Sequence, residues 1–438
     1  MTVPYGLVAG ISTSTTRFTE LDLYRCILDY GGAEYFDPSH AFPFKYTLVL
    51  LACQRFGDAV VYLWTCNRST AAIHLLVLFL HYGLLLPHLP LSPPLLNLRS
   101  STMHSDLSPC SILRLWVQQF VTAAFPDIAV DYLAMLNVQW LPHVRGLLPR
   151  DGEEIIHIKC QQAIGGVLET FLLSLDEASL RKVVGSVLQA DSSSLSLERL
   201  RSGGRLDAYF PAESVDLLLA RTAFVKMSRD ADAAGAVHFY SLAGRFIDAI
   251  EVLTTQLAQA FVVERGTGEA IICARDFHRT FLASNQGPVV DQLHRFGRSE
   301  LIRNLEYLLN LAAFFEQCSA KQYTAALSAL DSLGVAPRDE SEVSACKLKV
   351  MGMESSLLQS LDRLFLSAMQ CFRAIHSSLK AGLRELPGVL SDKEHNMKEM
   401  RQRAKALVLL ASLLRQKLRH ASETTAQLSR LEIEMSML

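Results

Sequence analysis

Apolar residues recur with a period of about 3.6 along almost the whole chain, the spacing that gives an α-helix one apolar stripe. Strand-like alternation with a period of two is hardly found. The pattern therefore predicts an all-α protein. The predicted helices cover residues 19–30, 44–54, 57–67, 70–86, 110–124, 126–139, 152–174, 176–190, 212–227, 230–243, 245–263, 298–318, 321–333, 343–379, 394–418 and 422–437.

One short pattern recurs: an aromatic residue followed at fixed intervals by Ala, an aliphatic residue and Leu. Its copies are Phe56–Ala59–Val60–Leu63, Phe246–Ala249–Ile250–Leu253, Tyr323–Ala326–Leu327–Leu330 and, with one extra residue, Phe125–Ala129–Val130–Leu133. A small Ala on the buried stripe lets a neighbouring helix approach closely. Each copy follows another helix after a short turn, as the second helix of an αα-hairpin does. The pattern predicts an irregular α-solenoid of stacked antiparallel helix pairs, with chance matches among common helix residues as the alternative.

The C-terminal third has a different apolar pattern, in which apolar residues follow one another in alternating steps of three and four. These positions are Leu358, Leu361, Phe365, Ala368, Phe372, Ile375 and Leu379, then Ala404, Leu407, Ala411, Leu414 and Leu418, then Leu428, Leu431, Met435 and Leu438. Such seams predict long antiparallel C-terminal helices, the first of about 35 residues and ~50 Å, reversed at Pro387 and Gly388. An intramolecular bundle is the preferred arrangement, and an intermolecular coiled coil is the alternative.

The predicted domain organisation is one continuous helical body. Residues 1–18 form a flexible N-terminus and 19–342 the α-solenoid, with a Pro/Ser-rich insert at 87–109 and a Ser/Gly loop at 191–204. Residues 343–438 form the C-terminal long-helix bundle. The apolar run from Ala71 to Leu86 is shorter than the ~20 residues that a membrane span needs, and it contains His74 and His81. We interpret it as a helix buried on all sides.

Charge and cysteine content narrow the function classes. The 42 Lys and Arg against 44 Asp and Glu give a net charge of −2, which argues against nucleic-acid binding through bulk charge. The nine cysteines include no CxxC, which indicates a reducing nucleocytoplasmic compartment. The first residues lack the basic and apolar regions of a secretory signal.

Candidate chemistry is sparse, since no phosphate-binding loop, zinc-protease motif, nucleophile elbow or EF-hand loop is present. We interpret the Gly-rich residues 265–268 as a turn. Asn67 begins a glycosylation sequon, which has no role in a reducing compartment. His74 and His81 are interpreted as core or interface residues. Carboxylates at 151, 153 and 154 suit a helix N-terminus. The basic residues Lys393, Lys398, Arg401, Arg403 and Lys405 are interpreted as a solvated helix face. We therefore predict no catalytic, cofactor-binding or metal-binding residue and no enzymatic activity, and the partner-binding residues stay unknown.

Three stretches carry a resemblance to a known family. They are Ile27–Trp64, with its DYG and Pro-Phe followed by the apolar His74–Leu86; Phe239–Val262; and the C-terminus, including Leu305–Pro337 and the terminal QLSRLEIEMSML. In collinear order over Thr19–Leu438, the chain resembles the nucleoporin-interacting-component family, that of the ninety-three-kilodalton inner-ring scaffold nucleoporin and its fungal relatives. It is similar to the C-terminal solenoid part, because the family's N-terminal coiled-coil region, which recruits the channel nucleoporins, is missing.

The resemblance implies a structural scaffold of the nuclear pore complex inner ring, in the nuclear envelope of the nucleus, that supports pore assembly and the transport of protein and mRNA. Implied partners are a linear segment of a disordered linker nucleoporin and large inner-ring scaffold nucleoporins, with no direct nucleic-acid contact, membrane span or cofactor. An α-solenoid subunit of a vesicle coat or tethering complex is the alternative. A third hypothesis, an enzyme with a diverged helical fold, would need a deep polar pocket.

Overall fold

The structure is a computed structural model, and it describes residues 19–86, 108–123, 125–134, 162, 164–187, 201–263, 267–282, 288–383, 390–418 and 420–437. The predicted N-terminus 1–18 lies outside the described residues. So do residues 87–107 of the predicted Pro/Ser-rich insert and 191–200 of the predicted Ser/Gly loop. The predicted domain boundary at residue 342 stays a prediction.

The first of two contact-defined units takes in residues up to 186 together with 203–218. Its helices are α1 (Glu20–Asp29), α2 (Gly32–Phe36), α3 (Pro43–Ala52), α4 (Phe56–Thr65), α5 (Ser69–His81), α6 (Pro109–Thr122), α7 (Pro126–Ala134), α8 (164–174) and α9 (Glu177–Val184). Pro43 and Pro109 start their helices, where a missing backbone N–H costs nothing. From α2 to α7, each helix packs on the next one along the chain.

The second unit comprises residues 187–202 and 219–438, and the boundary falls inside α10. Its helices are α10 (Ala212–Asp230), α11 (Ala233–Leu242), α12 (Phe246–Val263), α13 (Thr267–Phe277), α14 (Pro288–Arg295), α15 (Ser299–Ser319), α16 (Tyr323–Leu333), α17 (Val343–Met351), α18 (Ser355–Leu358), α19 (Leu361–Leu383), α20 (Leu390–Leu413) and α21 (Ala421–Met437). Consecutive pairs again pack together, as α11 with α12, α15 with α16 and α19 with α20. The described residues contain no β-strand, only an isolated bridge between Val187 and Arg201.

The same turn joins several of these helix pairs. One residue takes a left-handed conformation, and the amide of the next residue donates to the carbonyl five positions back, as in a Schellman motif. The left-handed residues are Gln54, Asn67, Gly244, Gly297 and Lys321, with φ between 57° and 68°. The amides of Arg55, Arg68, Arg245, Arg298 and Gln322 make the bonds, at 2.8–2.9 Å. What repeats in the structure is therefore the backbone turn, whereas the residue type at its left-handed position varies.

The predicted Ala pattern marks helix contacts. Ala59, Ala129, Ala249 and Ala326 are each fully buried, and so are the Leu residues that follow them, apart from a 2% exposure of Leu253. Phe246 is buried, but Phe125, in the copy with the extra residue, is 58% exposed. Phe125 lies just before α7, which begins at Pro126, whereas the aromatic residue of each other copy is the first residue of its helix. The prediction of an all-α solenoid of helix pairs is confirmed.

The apolar faces of the C-terminal helices pack against one another within one chain. The prediction of long antiparallel C-terminal helices is confirmed. α19 packs on α20 and α21, and α20 packs on α21. The buried seam residues include Leu361, Phe365, Ala368, Phe372, Ala404, Leu407, Ala411, Leu428 and Met435. An intramolecular bundle therefore accounts for the pattern.

The predicted continuous helix over 343–379 is wrong, because the chain breaks twice in that interval, before and after α18. Gly352 ends α17, where its amide donates to the carbonyls of Leu348 and Lys349, and Glu354 is extended, with ψ 149°. Helices α2, α13 and α14 were not predicted. The Gly-rich stretch is also more than a turn, since Thr267 and Gly268 lie in the first turn of α13.

Candidate interaction surface

One group of polar side chains superficially resembles a nucleophilic site. In the loops beside α4, the Cys66 sulfur lies 3.7 Å from Nδ1 of His40, and Tyr62 donates to Oδ2 of Asp37 at 2.9 Å. A catalytic triad needs the nucleophile on one imidazole nitrogen and the carboxylate on the other. Here the Tyr62 hydroxyl also meets His40 at Nδ1, at 3.4 Å, so both contacts use the same nitrogen. The arrangement lacks the geometry for nucleophilic catalysis.

This polar group instead holds the loop before α3. Asp37 is 2% exposed and accepts from the Phe42 amide at 3.0 Å as well as from Tyr62. Although burial opposes it, these hydrogen bonds hold the pKa of Asp37 below its usual value. The Tyr62 ring stacks edge-on against Tyr46, with centroids 4.8 Å apart. The contacts fix the position of α3 against α4.

The structure corrects the interpretation of the apolar run at 71–86. Helix α5 buries Ile73 and Leu76 on one side but exposes His74, Leu78 and His81 on the other, so the prediction that it is buried on all sides is wrong. His74 is an interface residue, with Nε2 3.2 Å from the Tyr132 hydroxyl. None of the helices in the described part of the chain combines the length and the apolar composition that a membrane span requires.

Some of the other candidate residues are buried and others are exposed to solvent. Lys398 and Lys405 are exposed as predicted, but Arg403 is buried, because it pairs with Asp331 and Glu399. The carboxylates at 151, 153 and 154 lie outside the described residues. Within the part of the chain that the structure describes, no group of three or more His, Cys, Asp and Glu residues is placed to hold a metal ion.

Exposed aromatic and aliphatic side chains gather on α2, α3 and the adjoining turns. We call the residues Tyr30, Tyr35, Phe42, Phe44 and Leu48 the α2–α3 aromatic surface; they are 49–66% exposed. Phe44 and Leu48 are four residues apart and share one face of α3. The opposite face of α3 buries Tyr46, Thr47 and Leu50. This helix is therefore apolar on two sides, and intramolecular packing covers only one of them.

Two residues of the α2–α3 aromatic surface, Tyr30 and Tyr35, are connected to the core through ring contacts. Tyr35 lies 6.5 Å from Tyr30 and 5.1 Å from Phe36, and Phe36 stacks on buried Tyr46 at 6.1 Å. Rings held in this way lose little conformational entropy when a partner covers them. Sequence reasoning missed this surface, because an apolar residue in a predicted helix is ordinarily assigned to the core.

A smaller apolar surface lies on α17, where Leu348 and Met351 are 75% and 48% exposed. Large exposed apolar areas in a folded protein are typical of surfaces that other molecules cover. Aromatic residues are enriched in such interfaces, which favours the α2–α3 aromatic surface over α17.

Paired helices with exposed apolar helix faces define a class: helical-repeat proteins. Residues 11–425 match the family model described as Nup93/Nic96, and the chain belongs to the Nup93/Nic96 family. A search of curated proteins found no match. The family consists of structural nucleoporins, so the chain is a scaffold nucleoporin of the nuclear pore complex in the nuclear envelope. The resemblance seen in the sequence is thereby confirmed.

Proposed function

We propose that this nucleoporin is a scaffold subunit of the pore's inner ring, that it has no enzymatic activity, and that it holds other nucleoporins through exposed helix faces. The observation that carries the proposal is the α2–α3 aromatic surface. It presents Tyr35, whose ring contacts Phe36 beside buried Tyr46, together with Phe44 and Leu48 on the uncovered face of α3. Interfaces draw most of their binding energy from a few such anchors.

The proposed occupant is an apolar linear segment of a disordered linker nucleoporin. Phe44 and Leu48 lie one helical turn apart, a spacing that suits two anchor side chains of a short peptide. Lys45 lies over the Phe42 ring, 4.7 Å from its centroid, and places a positive charge at the edge of this surface. The segment that fits is therefore apolar with acidic flanks. Large inner-ring scaffold nucleoporins would contact other helix faces.

The test is affinity capture of a tagged full-length chain from its native cells, with quantitative mass spectrometry and imaging. The double variant Phe44→Ser/Leu48→Ser should lower recovery of the linker nucleoporin at least tenfold and keep a folded, helical chain. The matched control, Leu348→Ser/Met351→Ser, removes a comparable exposed pair on α17 and should retain it. The unmodified chain should label the nuclear rim.

Two outcomes would contradict the proposal. If both double variants recovered inner-ring nucleoporins equally, the α2–α3 aromatic surface would not be the binding site for the linker nucleoporin. Punctate Golgi or endosomal labelling, with recovery of coat or tether subunits, would place the chain outside the inner ring and select the vesicle-coat alternative.

A further inference from the structure

Two leucines and three cations lie together on the solvent side of α20 and in the turn after it. Lys405, Leu409 and Leu413 follow one another at intervals of four residues, so they form one stripe along the helix. The leucines are 42% and 47% exposed, and Lys405 is exposed as well. Arg415 and Lys417, which are also exposed, lie in the turn that follows. We call these five residues the α20 basic–apolar surface.

The remaining faces of α20 are covered by the fold. They bury Leu407, Leu410 and Leu414, and the helix packs on α17, α19 and α21. Leu409 and Leu413 stay exposed after this packing. Exposed apolar side chains that are grouped and rimmed by polar residues are typical of surfaces that other molecules cover.

The three cations of this surface form no ion pair within the part of the chain that the structure describes. The carboxylate that precedes Lys405 on α20, that of Glu399, is bonded to Arg403 at 2.9 Å. Arg415 and Glu423 both line a depression of about 690 Å³ at the end of α20, but they do not pair with each other. The surface therefore carries positive charge that the carboxylates of a partner can neutralise.

We propose that the α20 basic–apolar surface binds an acidic amphipathic helix of a partner protein, an inference that rests on the scaffold function proposed above. The stripe from Lys405 to Leu413 is ~12 Å long, so a partner helix of roughly three turns covers both the stripe and the turn beyond it. The apolar face of the partner packs on the two leucines. Its carboxylates lie toward Lys405 on one side and toward Arg415 and Lys417 on the other.

The arrangement favours a protein helix over a lipid surface. A helix that lies in a membrane interface has a wide apolar face, with its cations on the opposite face. Here Lys405 shares one stripe with Leu409 and Leu413, and α17, α19 and α21 cover other faces of the helix. The apolar area that is left is too narrow to enter a bilayer, but it suits one partner helix.

Fluorescence anisotropy of labelled peptides with the purified full chain tests this surface. The probe is an amphipathic peptide of about 14 residues, with leucines on one face and glutamates on both sides of that face. A second peptide has lysine for every glutamate, and a third has serine for every leucine. The glutamate peptide should bind at least tenfold more tightly than either, and NaCl at about 0.5 M should weaken its binding. Lys405→Glu/Lys417→Glu should lower the affinity for the glutamate peptide at least tenfold and raise that for the lysine peptide.

The leucines are tested by a second double variant, Leu409→Ser/Leu413→Ser, which should also lower the affinity for the glutamate peptide at least tenfold. All titrations are repeated in the Phe44→Ser/Leu48→Ser chain, so that binding at the α2–α3 aromatic surface does not contribute. Failure of the present proposal in that chain would leave the proposed function unaffected.

The matched control is Ile433→Ser/Met437→Ser on α21. These two side chains have the same spacing and are 48% and 84% exposed, but Glu432 and Glu434 flank the first of them. The control should bind the glutamate peptide as the unmodified chain does. Circular dichroism checks that each variant keeps its helices.

The proposal is wrong if the glutamate peptide fails to bind, if the lysine peptide binds equally well, or if binding survives both α20 double variants. Binding to phosphatidylserine vesicles without binding to the glutamate peptide would assign the surface to lipid instead. A dimer in sedimentation that Leu409→Ser/Leu413→Ser dissociates would show that a second copy of the chain covers it, and this too would overturn the proposal.

Discussion

Arg403 and Asp331 form a two-pronged ion pair that joins α20 to α16, with Nη1–Oδ1 and Nη2–Oδ2 distances of 2.7 and 3.3 Å. Arg403 also donates to Glu399, one turn earlier on α20, at 2.9 and 3.0 Å. Burial lowers the pKa of Arg403, but the bonds and charges of Asp331 and Glu399 outweigh it and leave this pKa raised. The guanidinium stays charged while it is almost fully buried, and its partners compensate for the lost hydration.

We expect Asp331→Ala to lower the free energy of unfolding by about 3 kcal/mol, because it leaves a buried guanidinium without its inter-helix partner. Urea unfolding followed by circular dichroism measures the change. Arg430→Ala is the matched control: its side chain is 82% exposed and pairs with Glu434 at 3.4 Å, so the loss should stay below about 0.5 kcal/mol. Equal effects of the two substitutions would contradict the role assigned to the buried pair.

The buried Ala of the repeated pattern makes a separate prediction. Ala249→Leu places three extra carbon atoms at a fully buried contact and should destabilise the chain by about 1–3 kcal/mol. Ala345→Leu, on the exposed face of α17, should change stability by less than about 0.5 kcal/mol. Thermal unfolding of both variants measures the difference. A tolerated Leu at residue 249 would mean that close helix approach does not explain the pattern.

These residues also show how far the sequence predicted the fold. The period of 3.6 and the repeated Ala are local features, so they predicted the helix pairs and their contact positions. The partner of Arg403 is 72 residues away, and nothing local distinguishes Arg403 from exposed Lys405. The prediction of one helix over 343–379 gave too little weight to Gly352, the residue at which α17 ends.

The candidate surface was harder to predict than the fold. Phe44 and Leu48 follow the same apolar pattern as the buried residues of α3. Their exposure is decided by which face of the helix the neighbouring elements cover, which the sequence of α3 alone does not contain. The small-residue contacts, by contrast, were predicted because Ala at a fixed interval has one simple packing consequence.

A Gly→Ala substitution should change stability in opposite directions in a hairpin turn and in a helix. Gly244 has φ 68°, and an added Cβ would meet no atom within 4 Å, so Gly244→Ala tests backbone conformation alone. We expect a loss of about 1 kcal/mol, since the left-handed region penalises a Cβ. Gly268→Ala, equally unobstructed but helical, should stabilise by about 0.5–1 kcal/mol. Urea unfolding of the two variants decides; a gain from Gly244→Ala would contradict the assigned turn.

His376 makes the stability of the C-terminal helices depend on pH. It is fully buried in α19, and its Nε2 accepts from Nε of Arg401 at 3.1 Å, so the neutral ring carries its proton on Nδ1. Nδ1 finds no hydrogen-bond partner in the described part of the chain. Burial, and then the charges of Arg401 and Lys380, lower the pKa of His376 below its usual value. The unfolded chain therefore binds this proton more readily than the folded chain does.

The sign of the pH effect follows from that difference. Above the unfolded pKa of about 6.5 the ring is neutral in both states and stability is complete. As the pH falls below 6.5, the unfolded state takes up the proton first, and stability is lost until the folded pKa is passed. His376→Gln, whose amide oxygen still accepts from Arg401, should flatten the dependence of the urea midpoint between pH 7.5 and 5. His395→Gln, at an exposed position of α20, should keep it. A variant at residue 376 that lost stability with acid as steeply as the unmodified chain would show that another group carries the effect.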